Sequence, residues 1–186
     1  MLKYAKHTII MALLLIAIGG CSSDKSNIST LTDDDSLFRP DSEVRGARIY
    51  LYDRGRVTSE IYSDKILKFE QQDSTAAYKL DIDILDSTGN VSTHVVGDSG
   101  FIRETKGQVN IFGNVVVTTD DGAVLETEYL WWDSNTDRIK TDAFVRITRG
   151  EDVITGWGLD ADNRLKDFKI LSQVSGTIAD PEQIQK

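Results

Sequence analysis

From Ala47 to Ile178 apolar and polar residues alternate in short runs, and clusters of Gly, Asp, Asn and Ser separate the runs. Tyr78-Lys79-Leu80-Asp81-Ile82-Asp83-Ile84 alternates without a break, the period of two that marks a half-buried strand. ARIYLYD (Ala47 to Asp53) leads through a turn at Arg54-Gly55-Arg56 into a second apolar run, and Ser87-Thr88-Gly89-Asn90 turns the Tyr78 strand into VSTHVVGDSGFIRE. β-Branched and aromatic residues fill the runs, and turn residues recur at about 8–12 residues, the spacing of sandwiches and barrels. Pro40 and Pro181 both fall outside the runs, where they remove no ladder hydrogen bond. The pattern predicts an all-β domain over 47–178, with residues 179–186 frayed.

The clearest unit is Val109 to Asp133, two strands joined by a turn at Asp120-Asp121-Gly122, and its outline returns from Ile139 to Asp162. Val95-x-Gly97, Leu125-x-Thr127 and Ile154-x-Gly156 occupy one station of the repeat. Gly100-x-Ile102, Leu130-x-Trp132 and Leu159-x-Ala161 occupy the next, and Ile61-x-Ser63 followed by Ile66 fits earlier. Within each unit the two apolar pairs are out of phase by one residue. A β-bulge between them restores a common face while bending the strand. The expected architecture is a twisted open β-jelly roll of repeated antiparallel hairpins, stacked in series.

Upstream the pattern is different. Lys3 and Lys6 precede an apolar run from Thr8 to Ile18, too short to span a bilayer comfortably and shaped like a secretory signal over residues 1–20. Ile18-Gly19-Gly20-Cys21 resembles a lipobox, which makes Cys21 the expected lipid anchor and the mature N-terminus. It is the only cysteine in the chain, so no internal disulfide is expected. Residues 21–46 are polar and rich in Ser and Asp, a composition that cannot offset chain entropy by burial. They are expected to form the lipidated N-terminus and a tether with a reach of roughly 25–30 Å.

Loss of Lys3 and Lys6 with the signal leaves 19 basic against 30 acidic residues, a net charge of −11. That balance opposes binding to nucleic acid or anionic headgroups through bulk charge. An acidic lipid would have to be held by its hydrocarbon end.

Catalytic patterns are nearly absent. His94 is the only histidine after the signal, and no nucleophile accompanies it, so a solvated or satisfied histidine is expected. Asp133-Ser134-Asn135-Thr136-Asp137 opens like a calcium loop, but Arg138 stands where Gly is needed and no bidentate Glu follows. That stretch and Asp160-Ala161-Asp162-Asn163 are expected to be hairpin turns. Trp131 and Trp132 should point to opposite faces of a strand. No catalytic residue, metal or cofactor is expected.

What remains is one apolar phase. Val109, Ile111, Val115 and Val117, then Val145 and Ile147, then Phe168, Ile170 and Val174 lie in it, while Asn110, Asn114, Thr118, Lys140, Asp142, Arg146, Lys169 and Gln173 occupy the other. With Leu80, Ile82, Val95, Leu125, Ile154 and Leu159, these residues (Phe168 and Val174 apart) form the candidate lining of a lipid groove. The same pattern fits an ordinary packed core.

An anchor, a short linker, and then hairpins of the outline "apolar strand, Asp-Gly turn, L-x-T-x-x-L-x-W/Y-D" resemble the periplasmic β-jelly-roll proteins of the lipopolysaccharide-transport bridge, the LptC family among them. ARIYLYDRGRVTSEIYSDKILKFE is similar to that family's first hairpin, and VNIFGNVVVTTDDGAVLETEYLWWDSNTDRIKTDAFVRI to its most characteristic segment. The resemblance covers roughly residues 45–178. It implies a non-enzyme that accepts lipopolysaccharide from an inner-membrane ABC transporter, holds the acyl chains, and passes them to a homologous periplasmic bridge protein through edge strands. Better-known members keep a transmembrane helix where this chain carries Cys21. Ser22 follows the cysteine in place of an Asp that retains lipoproteins in some inner membranes. The inner membrane is the expected site, with the outer membrane as alternative. Two other readings stay open at this point: a lipoprotein adaptor with a packed core and no lipid, and a sugar-binding sandwich using Trp131 or Trp132.

Overall fold

The computed structural model describes residues 39–179; the segment 1–20, Cys21, most of the expected tether and residues 180–186 lie outside them. Nine strands follow one another: β1 (Ser42–Asp53), β2 (Arg56–Phe69), β3 (Ser74–Leu85), β4 (Val91–Arg103), β5 (Gln108–Thr119), β6 (Ala123–Asp133), β7 (Arg138–Arg149), β8 (Asp152–Asp162) and β9 (Phe168–Thr177). They form one antiparallel meander in chain order, so each hairpin partner is also a sequence neighbour. Two 3₁₀ turns, Glu70–Gln72 and Glu104–Lys106, complete the described elements. Among the described residues no helix is long and apolar enough to cross a membrane.

The β2–β3, β4–β5, β6–β7 and β8–β9 turns line one margin of the sheet, and the remaining turns line the other. In a flat meander of 12-residue strands the margins would lie about 40 Å apart at the usual rise per residue. Yet the Thr93 hydroxyl, at the start of β4, donates to the carbonyl of Asn163 in the β8–β9 turn at 2.9 Å. The sheet is therefore folded across its own strands, and its two halves face each other.

The crease runs where the repeat changes phase. Register shifts fall between Val96 and Ser99 on β4, Phe112 and Val115 on β5, Thr127 and Trp131 on β6, and Thr141 and Phe144 on β7. On β5 the chain passes through left-handed conformations at Gly113 (φ 76°) and Asn114 (φ 47°), a region open to Gly and tolerated by Asn. Bulging frees backbone groups, which must find other partners when buried. Hydroxyls supply them: Ser63 Oγ donates to the Tyr78 carbonyl at 2.7 Å, and Thr127 Oγ1 to that of Phe144 at 2.9 Å. The bulge inferred from the one-residue phase slip of the repeat is the device that folds the sheet.

Two boundaries differ from the pattern. β1 begins at Ser42 rather than Ala47, because Ser42 to Arg45 pair with Lys68 to Lys65 through backbone bonds while their side chains stay exposed. Burial periodicity cannot register a strand held in that way. Asp160, Ala161 and Asp162 belong to β8, not to a turn. Asp160 is ion-paired with Arg138 across the ladder and with Lys140 at 3.3 Å, and the hydrogen bond from Arg138 holds its carboxyl below the usual range. The turn starts at Asn163.

Gly100 sits where a Cβ would collide with the Asn110 carbonyl and the Leu80 side chain. Gly100→Ala should lower the unfolding free energy by about 1–3 kcal/mol, the usual range for overpacking, measured by urea titration with an unchanged m-value.

Candidate functional site

Alternation sends one side of every strand into the space between the two halves. Cross-strand pairing then aligns those side chains into rows that run along the roll. One row passes through all nine strands: Ile49, Ile61, Ile82, Val95, Val117, Leu125, Ile147, Ile154 and Gly176 are successive register partners. Beyond the crease a second runs from Ile66 through Ala77, Gly100 and Ile111 to Leu130. A third links Ile102, Val109, Trp132, Ile139, Ala161 and Phe168. At about 4.8 Å between strands, a row crossing nine strands extends for roughly 38 Å.

Leu80, Ile82, Val95, Val109, Ile111, Val115, Val117, Leu125, Val145, Ile147 and Leu159 are all buried in one continuous cluster. Ile154 is half-buried, and Ile170 packs against the cluster from β9. Val174 is 61% exposed. It lies two residues before Gly176 of the first row and so shares that row's side of β9, an edge strand with no partner on its outer side among the described residues. The interior also holds residues outside the candidate lining, notably Ile61, Ile102, Leu130, Trp132 and Ile139. Their signal was present, since most of them occupy stations of the repeat. Leu165, fully buried from the β8–β9 turn, had none: Arg164 and Lys166 flank it in a polar segment.

Two polar atoms interrupt this apolar space. Ser59 Oγ and Trp132 Nε1 are buried with no hydrogen-bond partner among the described residues, an arrangement that costs about 1–3 kcal/mol for each group. At the far end, β9 carries exposed Leu171 and Val174, followed by Ile178, so the rows reach an uncovered edge strand there.

The outer face is different. Trp131 points outward while its neighbour Trp132 points in, and Lys140 lies 5.8 Å from the Trp131 ring centroid. Phe112 stacks on Tyr129 at 5.0 Å and meets Phe101 edge-on at 6.2 Å, and Phe144 meets Trp157 at 5.8 Å. His94 Nδ1 lies 2.8 Å from Asp83 and 3.6 Å from Asp81. These three are the donor set among the described residues that could hold a cation, and His94 has no nucleophile in its hydrogen bonding. Asp133 Oδ1 accepts the Asn135 amide at 2.9 Å, the bond of an Asx turn.

The matches to known proteins fit this geometry. Residues 9–179 match the model of the family described as "Lipopolysaccharide-assembly, LptC-related". The chain belongs to that family. No curated protein matches it. Among solved structures it is similar to LptH from Pseudomonas aeruginosa, described as the LptA homologous periplasmic component of the conserved lipopolysaccharide transport device. The TM-score is 0.52 at 9% identity, over 66% of this chain and 95% of that one; at such identity the likeness is one of fold. An LptC-related protein is a component of lipopolysaccharide transport on the periplasmic side, and not an enzyme.

Val117 is fully buried at the middle of the nine-strand row. Val117→Arg is expected to cost on the order of 3–5 kcal/mol, as an unpaired buried charge does, and to yield little folded protein by circular dichroism. A variant that folds normally would show that the two halves part easily at that point.

Proposed function

We propose that this chain is a membrane-anchored periplasmic component of lipopolysaccharide export. It receives lipopolysaccharide from an inner-membrane ABC transporter, holds the acyl chains between the two halves of the folded sheet, and passes them to a homologous bridge protein. The observation that carries this reading is the set of apolar rows reaching β9, whose outer edge has no strand partner among the described residues. A packed core needs no such continuity; a lipid moving from one protein to the next does. Unpaired edges at β1 and β9 suit end-to-end strand addition by a partner. The buried, unpartnered Ser59 hydroxyl and Trp132 indole nitrogen suit a cargo whose acyl chains carry carbonyl and hydroxyl groups. The net charge of −9 for the whole chain disfavours capture by the phosphorylated headgroup and leaves the hydrocarbon as the handle.

Anchoring by a diacylglyceryl group at Cys21 completes the reading, since two or more acyl chains hold a protein stably at a membrane. Its place is the inner membrane, within reach of the transporter. The energy for directed movement comes from that transporter, because this chain carries no nucleotide-binding motif.

A second reading has a specific observation in its favour. The lining residues on β3 to β7 are closed against each other, as in an adaptor lipoprotein whose core takes no cargo. Photo-crosslinking separates the two. A photoreactive residue at Ile154 or Ile170, inside the roll, should form lipopolysaccharide adducts in cells, while one at Arg146 or Lys169, on the outer phase, should not. Adducts at neither pair would favour the adaptor. Separately, Cys21→Ser should abolish acylation by mass spectrometry and release the protein from the membrane fraction; continued membrane retention would show another anchor.

A further inference from the structure

The two margins of the folded sheet meet along a seam, and one segment ties them together. The β8–β9 turn is a unit in itself. Asp162 N–H donates to the Asp167 carbonyl at 2.9 Å, the Asp162 carboxylate accepts the amides of Lys166 at 2.7 Å and Asp167 at 3.1 Å, and Leu165 N–H donates to the Asp162 carbonyl at 3.1 Å. None of these bonds involves the opposite margin.

Attachment to that margin is of another kind. Thr93 Oγ1 bonds the Asn163 carbonyl, and Arg149 Nη2 bonds the Leu165 carbonyl at 3.0 Å. Arg164 reaches Asp120 in the β5–β6 turn at 3.3 Å and Asp86 in the β3–β4 turn at 3.9 Å. Between these polar ties the Leu165 side chain enters the core and is fully buried, although its backbone takes a left-handed φ of 53°. That conformation is uncommon for a branched side chain and persists only where surroundings enforce it.

Charges of both signs meet across the seam: Lys166 of the turn attracts Asp121 on the opposite margin, while acids also face acids. Asp53, Asp86, Asp120 and Asp121 lie on one margin, and Asp137, Asp162 and Asp167 on the other. Asp53 and Asp162 act on Asp137 strongly enough to add to the effect of burial, which is the main cause of its raised carboxyl pKa. Arg164 pairs with two of these acids across the seam, and its pairs are partly exposed, so solvent screens them. The fastening is weak, local and reversible.

We propose that the β8–β9 turn is a latch on the interior. Leu165 plugs the seam, Arg164 fastens it to the Asp86 and Asp120 turns, and lipid acyl chains pass in when the latch lifts. This rests on the lipid-holding reading above and adds how access is controlled. The interior residues that would line the cargo site leave no exposed surface on β5 or β6 when the latch is closed, so loading requires that the halves part, and the seam is where they part without breaking a β-ladder.

The test uses the full-length chain in lipid nanodiscs, with a photoreactive residue at Ile154 and purified lipopolysaccharide as probe. In one form Arg164→Ala removes the fastening. In another, Asp120→Cys with Arg164→Cys is joined by a reducible thiol crosslinker. The unfastened form should label several-fold faster than the parent. The crosslinked form should fall to a tenth or less and recover on reduction, which also shows that it is folded. Equal labelling of the crosslinked and reduced forms would overturn the latch and leave the lipid-holding interior standing. No labelling in any form would overturn that interior, and the latch with it.

Discussion

An apolar sheet face must be covered. Here nine consecutive strands present one apolar phase to the same side, and no helix or second sheet stands against it among the described residues. Covering that face with the sheet's own other half is the solution the structure adopts, and the bulges, left-handed residues and hydroxyl bridges at mid-strand follow from it. Each helps to turn a strand through the crease without orphaning its backbone. Glycines at Gly97, Gly100 and Gly156, where an added Cβ would strike Ile111, Leu80 or Ile170, let neighbouring strands pack closely on either side of the fold.

This way of closing a core has a mechanical consequence. The two halves are joined along the crease by continuous strands, whereas across the seam they meet by side-chain packing and a few polar ties. Separation at the seam exposes apolar surface but breaks no inter-strand ladder, so the interior is closed yet hinged. The roll also ends in strands β1 and β9, which have no outer partner among the described residues, and on these two features rest the proposed side entry and end-to-end passage of lipid.

Much of this was legible in the residues. The hairpin order, the turns at Asp120-Asp121-Gly122 and Asp133 to Asp137, the outward and inward Trp131 and Trp132, and the buried state of Leu80 through Leu159 follow from alternation and turn chemistry, which are local. The phase slip between Leu125-x-Thr127 and Leu130-x-Trp132 even located the crease. Other features escaped because their causes are not local. Ser42 to Arg45 form a strand through backbone pairing with β2 alone. Val174 stays exposed because β9 is an edge strand with no partner beyond it among the described residues. Asp160 stays in a strand because Arg138 and Lys140 satisfy it from β7.

The sequence by itself determined the strands, their order, the side of each that is apolar and the positions where they bend, since period-two patterning and glycine placement encode these directly. Only the tertiary structure decided what lies opposite what. That Thr93 meets Asn163 seventy residues away, that Leu165 leaves a charged turn to fill the core, and that Arg164 joins two acidic turns from the other margin all depend on the direction in which the sheet folds over itself. A one-dimensional pattern marks each strand's inward face, but it carries no distance between margins. That distance is set when the two apolar halves close to exclude water.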